Sequence, residues 1–152
     1  MLNTIRKMAV IFLSAYSIHA VMADPVSKTV QITSPQVRVT LPGQSVSSAY
    51  MTIENPSAVA DRLVSVSFSG AKEVQIHEMK MDGNTMKMRQ LSGLDIPASG
   101  KVELRPGGNH LMLIDLKEPI QDGQAVKMTL QFEKAGKIEV AFPAKSMSSH
   151  MH

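Results

Sequence analysis

His77, Met88, His110 and Met112 are the residues whose types and spacing are most specific to a chemistry. They are two imidazoles and two thioethers in the pattern H-x10-M-x21-H-x-M, within a 152-residue chain that contains 12 methionines and no cysteine. Imidazole nitrogen together with thioether sulfur favours a soft transition metal, and thioether selects Cu(I) over zinc, magnesium or calcium. Zinc ordinarily takes cysteine, histidine or carboxylate. A blue-copper electron carrier needs a cysteine thiolate. The donor set therefore points to copper, in the form of Cu(I).

Local pattern shows how such donors would be positioned. In the run His110-Leu111-Met112-Leu113-Ile114, a strand puts residues 110 and 112 on one face and the two leucines on the other. The leucines are expected in the core and the donors exposed near an edge, beside the turn that Gly107-Gly108 suggests. A turn at Asp82-Gly83-Asn84 would bring Met88 back alongside the strand carrying His77. Val74 and Ile76 have one parity and His77, Met79 and Met81 the other, so a bulge or strand end near His77 is expected to reconcile core packing with ligand placement. Met51 and Met128 read as flexible core filler. Met79, Met81 and Met86 leave three readings open: shielding the metal, serving as alternative ligands, or forming an apolar docking surface.

Around the four donors the chain reads His77-Glu78-Met79, Met86-Lys87-Met88-Arg89 and Pro106-Gly107-Gly108-Asn109-His110-Leu111-Met112-Leu113, with Ala49-Tyr50-Met51-Thr52-Ile53 upstream and Phe132-Glu133-Lys134-Ala135-Gly136 downstream. In these segments it resembles the periplasmic copper chaperones called PCuAC. The resemblance implies a cupredoxin-like fold and a His2Met2 site. It also implies a role as a periplasmic carrier of Cu(I) to the dinuclear copper centre in subunit II of a haem–copper oxidase (cytochrome oxidase), alongside a Sco-type thiol protein. Copper resistance or storage is the alternative role, and a structural β-sandwich without metal the alternative class. A monomer is expected, with a metal-bridged dimer as the other arrangement.

The elements that must hold these donors are short. Alternating or β-branched runs occupy residues 29–33, 36–40, 49–54, 62–68, 73–81, 85–90, 101–104, 110–116, 125–132 and 137–142, separated by turn-forming Gly, Pro, Asn and Asp. No stretch shows a sustained helical period. Such spacing predicts an all-β protein, a sandwich or barrel, and the resemblance sharpens it to a Greek-key, cupredoxin-like fold.

Residues 1–23 read as a cleaved secretory signal: Arg6 and Lys7 precede an apolar stretch from Met8 to Ile18, and Val21-Met22-Ala23 supplies a cleavage site. The apolar stretch is shorter than the roughly 20 residues that span a bilayer, so no membrane span is expected in the mature chain. With no cysteine, a lipid anchor is not expected either. The 152-residue chain less its first 23 leaves 129, enough for one domain over residues 24–145. The segment removed carries two of the 16 basic residues and none of the 13 acidic ones, so the formal charge falls from +3 to +1. The remaining lysines are dispersed and the aromatic residues few, which argues against a nucleic-acid partner. With neither a cysteine nucleophile nor a G-x-S-x-G elbow, no enzyme is indicated.

After Phe142-Pro143 the apolar pattern stops, and residues 146–152 read as a flexible tail. Met147, His150, Met151 and His152 could there form a second, weaker site for Cu(II), since imidazole and carboxylate suit the harder ion. Incidental histidines in a mobile end are the alternative.

Overall fold

Short apolar runs bury a face only by pairing with one another, and among residues 29–146, which the computed structural model describes, they do so as ten strands without a helix. The expectations for residues 1–23 and for Met147, His150, Met151 and His152 lie outside the described residues.

The strands are β1 (Gln31–Arg38), β2 (Ser47–Asn55), β3 (Asp61–Ser67), β4 (Ala71–Asp82), β5 (Thr85–Leu91), β6 (Leu94–Ile96), β7 (Gly100–Leu104), β8 (His110–Leu116), β9 (Ala125–Phe132) and β10 (Gly136–Lys145). Seven of them form a ring in the order β4-β8-β2-β1-β10-β9-β3, which closes through the pairing of Val66 on β3 with Val74 on β4. All neighbours are antiparallel except β1 and β10. Closure removes the exposed edges that an open sheet would present. β5, β6 and β7 attach to the ring on β4, β3 and β2.

Inward-facing residues alternate along the strands and fill the barrel. Phe132, Phe142, Ile53, Leu63, Leu111, Leu113 and Leu130 are fully buried, and Met51 and Met128 lie among them as expected. Each contributes about 1.5–3 kcal/mol by leaving water, and no disulfide supplements that core.

The structure departs from expectation at three places. The two runs at 29–33 and 36–40 contribute to a single strand, β1, whose register against β2 shifts between Thr33 and Gln36 where Ser34 takes a positive φ of 50°. The apparent break is a bulge. β6 escapes a search for alternation because it has three residues, yet Ile96 is fully buried. The last strand does not end at Phe142: β10 runs to Lys145, where Val37 pairs with Ala144 and Arg38 with Lys145, and Ala144 is buried.

Asp61 fastens β3 to the turn between β9 and β10. Its carboxylate accepts hydrogen bonds from the backbone N–H groups of Arg62 (2.7 Å), Lys134 (2.9 Å) and Ala135 (2.9 Å). Burial alone would raise its pKa, but these donors and the Lys134 ammonium outweigh burial and hold it below the usual carboxylate value. A lowered folded-state pKa supplies stability above the ordinary carboxylate range that is lost as pH falls through the lowered value. Asp61→Ala, which leaves three partly buried backbone donors without their acceptor, should cost on the order of 3 kcal/mol in urea unfolding, and the deficit should narrow in acid. A variant as stable as the parent at neutral pH would show that the carboxylate is not what holds this turn.

Candidate metal centre

Three adjacent strands, β5, β4 and β8, carry every donor singled out in the described residues. Along β4 and β8 the antiparallel register is regular, with Val74 opposite Leu113, Gln75 opposite Met112, Ile76 opposite Leu111 and His77 opposite His110. Directly opposed residues point to the same face, so Ile76, Leu111 and Leu113 go to the core while His77, His110 and Met112 share the outer face. On the other side of β4, Gln90 opposes His77, Met88 opposes Met79 and Met86 opposes Met81. His77 is therefore diagonal to Met112 on one side and to Met88 on the other. The expected bulge at His77 is absent. The parity conflict disappears because the site lies on the outside of the barrel wall, and β8 simply begins at His110.

The imidazoles meet. Their ring centroids are 5.7 Å apart with a tilt of 37°. Two imidazoles sharing one ion through bonds of about 2.0 Å have centroids roughly 5–6 Å apart. Local hydrogen bonds decide which ring nitrogen is engaged and which is left over. Gln75 Nε2 donates to Glu73 Oε1 at 2.9 Å, and a carboxylate can only accept. That orientation turns the Gln75 amide oxygen to His77, whose Nε2–H donates to it at 2.7 Å. The buried Nδ1 of His77 keeps its lone pair and has no partner. In His110 the arrangement is reversed: Nδ1–H donates to the Gly108 carbonyl at 3.0 Å, leaving Nε2. The His77 ring is thus oriented with Nδ1 left free, and the His110 ring is oriented through Nδ1, as outer hydrogen bonds do for metal-binding histidines.

Burial, and secondarily the neighbouring His110 ring, lower the pKa of His77, which favours the neutral form that binds metal. Among the described residues no three His, Cys, Asp or Glu side chains converge on a point. An ion on the imidazole pair would have to complete its shell with thioether. His110 is buried rather than exposed as expected, and Met112 is half-buried, whereas Met88 is 48% exposed. Access is therefore from the β5 side. Ser48 opposes Met112, and Tyr50, two residues further along β2, is buried. The four expected donors share one face, with the histidines in contact and the thioethers on diagonals. Gln75, Glu73 and the Gly108 carbonyl were not singled out from sequence. The signal available was the i, i+2 spacing of Glu73, Gln75 and His77, which puts all three on one strand face.

The sequence model of the family described as "Putative lipoprotein LpqE-like" matches residues 30–144. A relative from Leifsonia xyli subsp. xyli (strain CTCB07) with a lipoprotein description is 33% identical over 107 residues, covering 70% of this chain; the chain spans 64% of that relative's length. Among solved structures, the copper-bound PCuAC domain of PmoF2 superposes with a TM-score of 0.67 at 28% identity, over 78% of this chain and 93% of that domain. The Cu(I) form of DR1885 from Deinococcus radiodurans gives 0.64 at 28% identity over 83% of each chain. The apo PCuAC domain of PmoF1 gives 0.67 at 26% identity, over 78% of this chain and 94% of that domain. The fold is that of PCuAC domains.

In the metal-free protein His77 should titrate below the usual 6.5 when followed by ring-proton NMR. His110→Ala should raise its pKa without fully restoring it, because burial remains. By linkage, the His77 contribution to stability is present above the ordinary histidine value and is lost as pH falls through the lowered one. A His77 midpoint at or above 6.5 would contradict the geometry.

Proposed function

The chain belongs to the LpqE-like family, a PCuAC-type family, and on that membership and the unpartnered Nδ1 of His77 beside the His110 ring we propose that it is an exported copper chaperone that binds one Cu(I) through His77, Met88, His110 and Met112. The observation that carries this reading is the buried, unpartnered Nδ1 of His77. A buried polar atom without a partner costs about 1–3 kcal/mol, and a soft cation placed between the rings would relieve it.

The donor set suits a carrier. Two neutral imidazoles and two thioethers add no negative charge to Cu(I), and no thiolate slows release. An acceptor with cysteine thiolates binds the same ion more strongly, so transfer runs downhill by ligand exchange. The acceptor proposed is the copper domain of cytochrome oxidase subunit II, with a Sco-type thiol protein as co-worker. Met88, the most exposed of the four donors, offers the side from which an acceptor sulfur would enter. Transfer as a monomer fits a site built from one chain. The lipoprotein description of the family and of the Leifsonia relative supports export, and we place the protein in the periplasm with residues 1–23 as its cleaved signal. A diacylglyceryl anchor of the lipoprotein kind needs a cysteine, and none of these 152 residues is one.

Competition with a chromogenic Cu(I) chelator tests the reading. His77→Ala should weaken Cu(I) binding by more than about 100-fold, and Gln75→Ala, which removes only the group that orients the ring, by about 10–100-fold. Affinity should fall as pH drops below about 6.5, where protons compete for imidazole. Because the His77 pKa is lowered, the fall should begin at a lower pH than for a free imidazole. Parental affinity in His77→Ala would remove the imidazole pair from the site.

A further inference from the structure

β8 accompanies β4 only as far as His77. Beyond it, residues 78–82 pair with β5 alone, through Glu78 with Arg89, Met79 with Met88, Lys80 with Lys87, Met81 with Met86 and Asp82 with Thr85. This two-stranded arm has two unlike faces. One is closed by ion pairs, Arg89 to Glu78 and Lys87 to Asp82. The other is a two-by-two block of thioethers, Met79 beside Met88 and Met81 beside Met86, continuous with the face that carries His77 and His110.

Packing does not account for that block. Met81, Met86 and Met88 are 55%, 48% and 48% exposed, whereas Met51 and Met128 are buried in the barrel. Methionine is not among the residues enriched in strands for their own sake, and an exposed hairpin gains little from a long apolar side chain left in water. What four methionines do supply is sulfur at close range. Opposed Cβ atoms lie about 4.5–5.5 Å apart and diagonal ones about 7–8 Å. The three rotatable bonds of methionine let the thioethers of Met81, Met86 and the diagonal Met79 reach a common point.

We propose that Met79, Met81 and Met86 form a second, all-thioether site for a soft monovalent ion, Cu(I) or Ag(I), next to the imidazole centre. Thioethers do not titrate in the physiological range, so this site would hold the ion at a pH that protonates imidazole. Its position at the exposed end of the thioether face makes it a loading position. An ion passes inward by exchange, one sulfur–metal bond breaking as one nitrogen–metal bond forms, with no change of oxidation state and no proton released from sulfur. Inward passage rests on the imidazole centre proposed above; the thioether site itself does not.

Titration of the full chain, labelled with 13C at the methionine methyls, with Ag(I) at neutral pH tests this directly. The methyl signals of Met81 and Met86 should shift by the second equivalent, and should still shift in His77→Ala. Met81→Leu/Met86→Leu, which keeps the apolar bulk and removes the sulfur, should bind one Ag(I) fewer by native mass spectrometry while the Met112 methyl and His77 ring still respond. Met81 and Met86 methyls that stay at their metal-free positions through two equivalents would overturn the proposal, as would a double variant that binds as many ions as the parent. Movement of Met81 and Met86 without any response from Met112 or His77 would uphold this site and refute the imidazole centre instead.

Discussion

The uninterrupted antiparallel register between β4 and β8 is the constraint on which the rest depends. It sends Ile76, Leu111 and Leu113 inward, and the same alternation sends His77, His110 and Met112 outward. Slipping one strand by a single residue would exchange the two sets, placing imidazole in the core and isoleucine in water. The burial of Leu111 and Leu113 thus enforces the meeting of His77 with His110. Core stability and donor geometry are fixed by the same pairing, in a barrel that has no disulfide to help.

Around that pairing the chain spends several polar groups on orienting two rings. Glu73 fixes the Gln75 amide, Gln75 fixes the His77 ring, and the Gly108 carbonyl fixes His110. The outcome is an unpartnered Nδ1 on His77 beside a His110 ring whose own Nδ1 is taken up by the Gly108 carbonyl. A pair of positively charged imidazoles 5.7 Å apart would repel, and burial disfavours charge on His77 further. Charge on His77 is therefore disfavoured, and its Nδ1 is short of a partner. That suits the Cu(I) carrier proposed above, for which the exposed thioether face of the β4–β5 arm would be the way in and out.

Much of this was legible in the sequence because two periodicities of two were superimposed there. Leucines at 111 and 113 between donors at 110 and 112, and isoleucine at 76 beside histidine at 77, are sufficient to place the core and the donors on opposite faces. The turn at Gly83 likewise announced that Met88 would return beside β4. What was not legible depended on long-range pairing. The bulge expected at His77 is not needed, because the alternation that sends Ile76 inward sends His77 to the outer face. β6 was too short to show alternation, and the end of β10 is held by a parallel partner more than a hundred residues away in sequence. The burial of His110 depends on what packs over the start of β8, which a local pattern cannot supply.

The central claim is that one Cu(I) sits between the two imidazoles with thioether completing its shell. X-ray absorption at the copper edge, on the full chain loaded with a single equivalent of Cu(I), tests it most directly. The account predicts a mixed first shell of nitrogen and sulfur, with the outer-shell multiple scattering that imidazole rings produce, and loss of that scattering in His77→Ala. A first shell of sulfur alone in the parent protein, unchanged by the substitution, would contradict it.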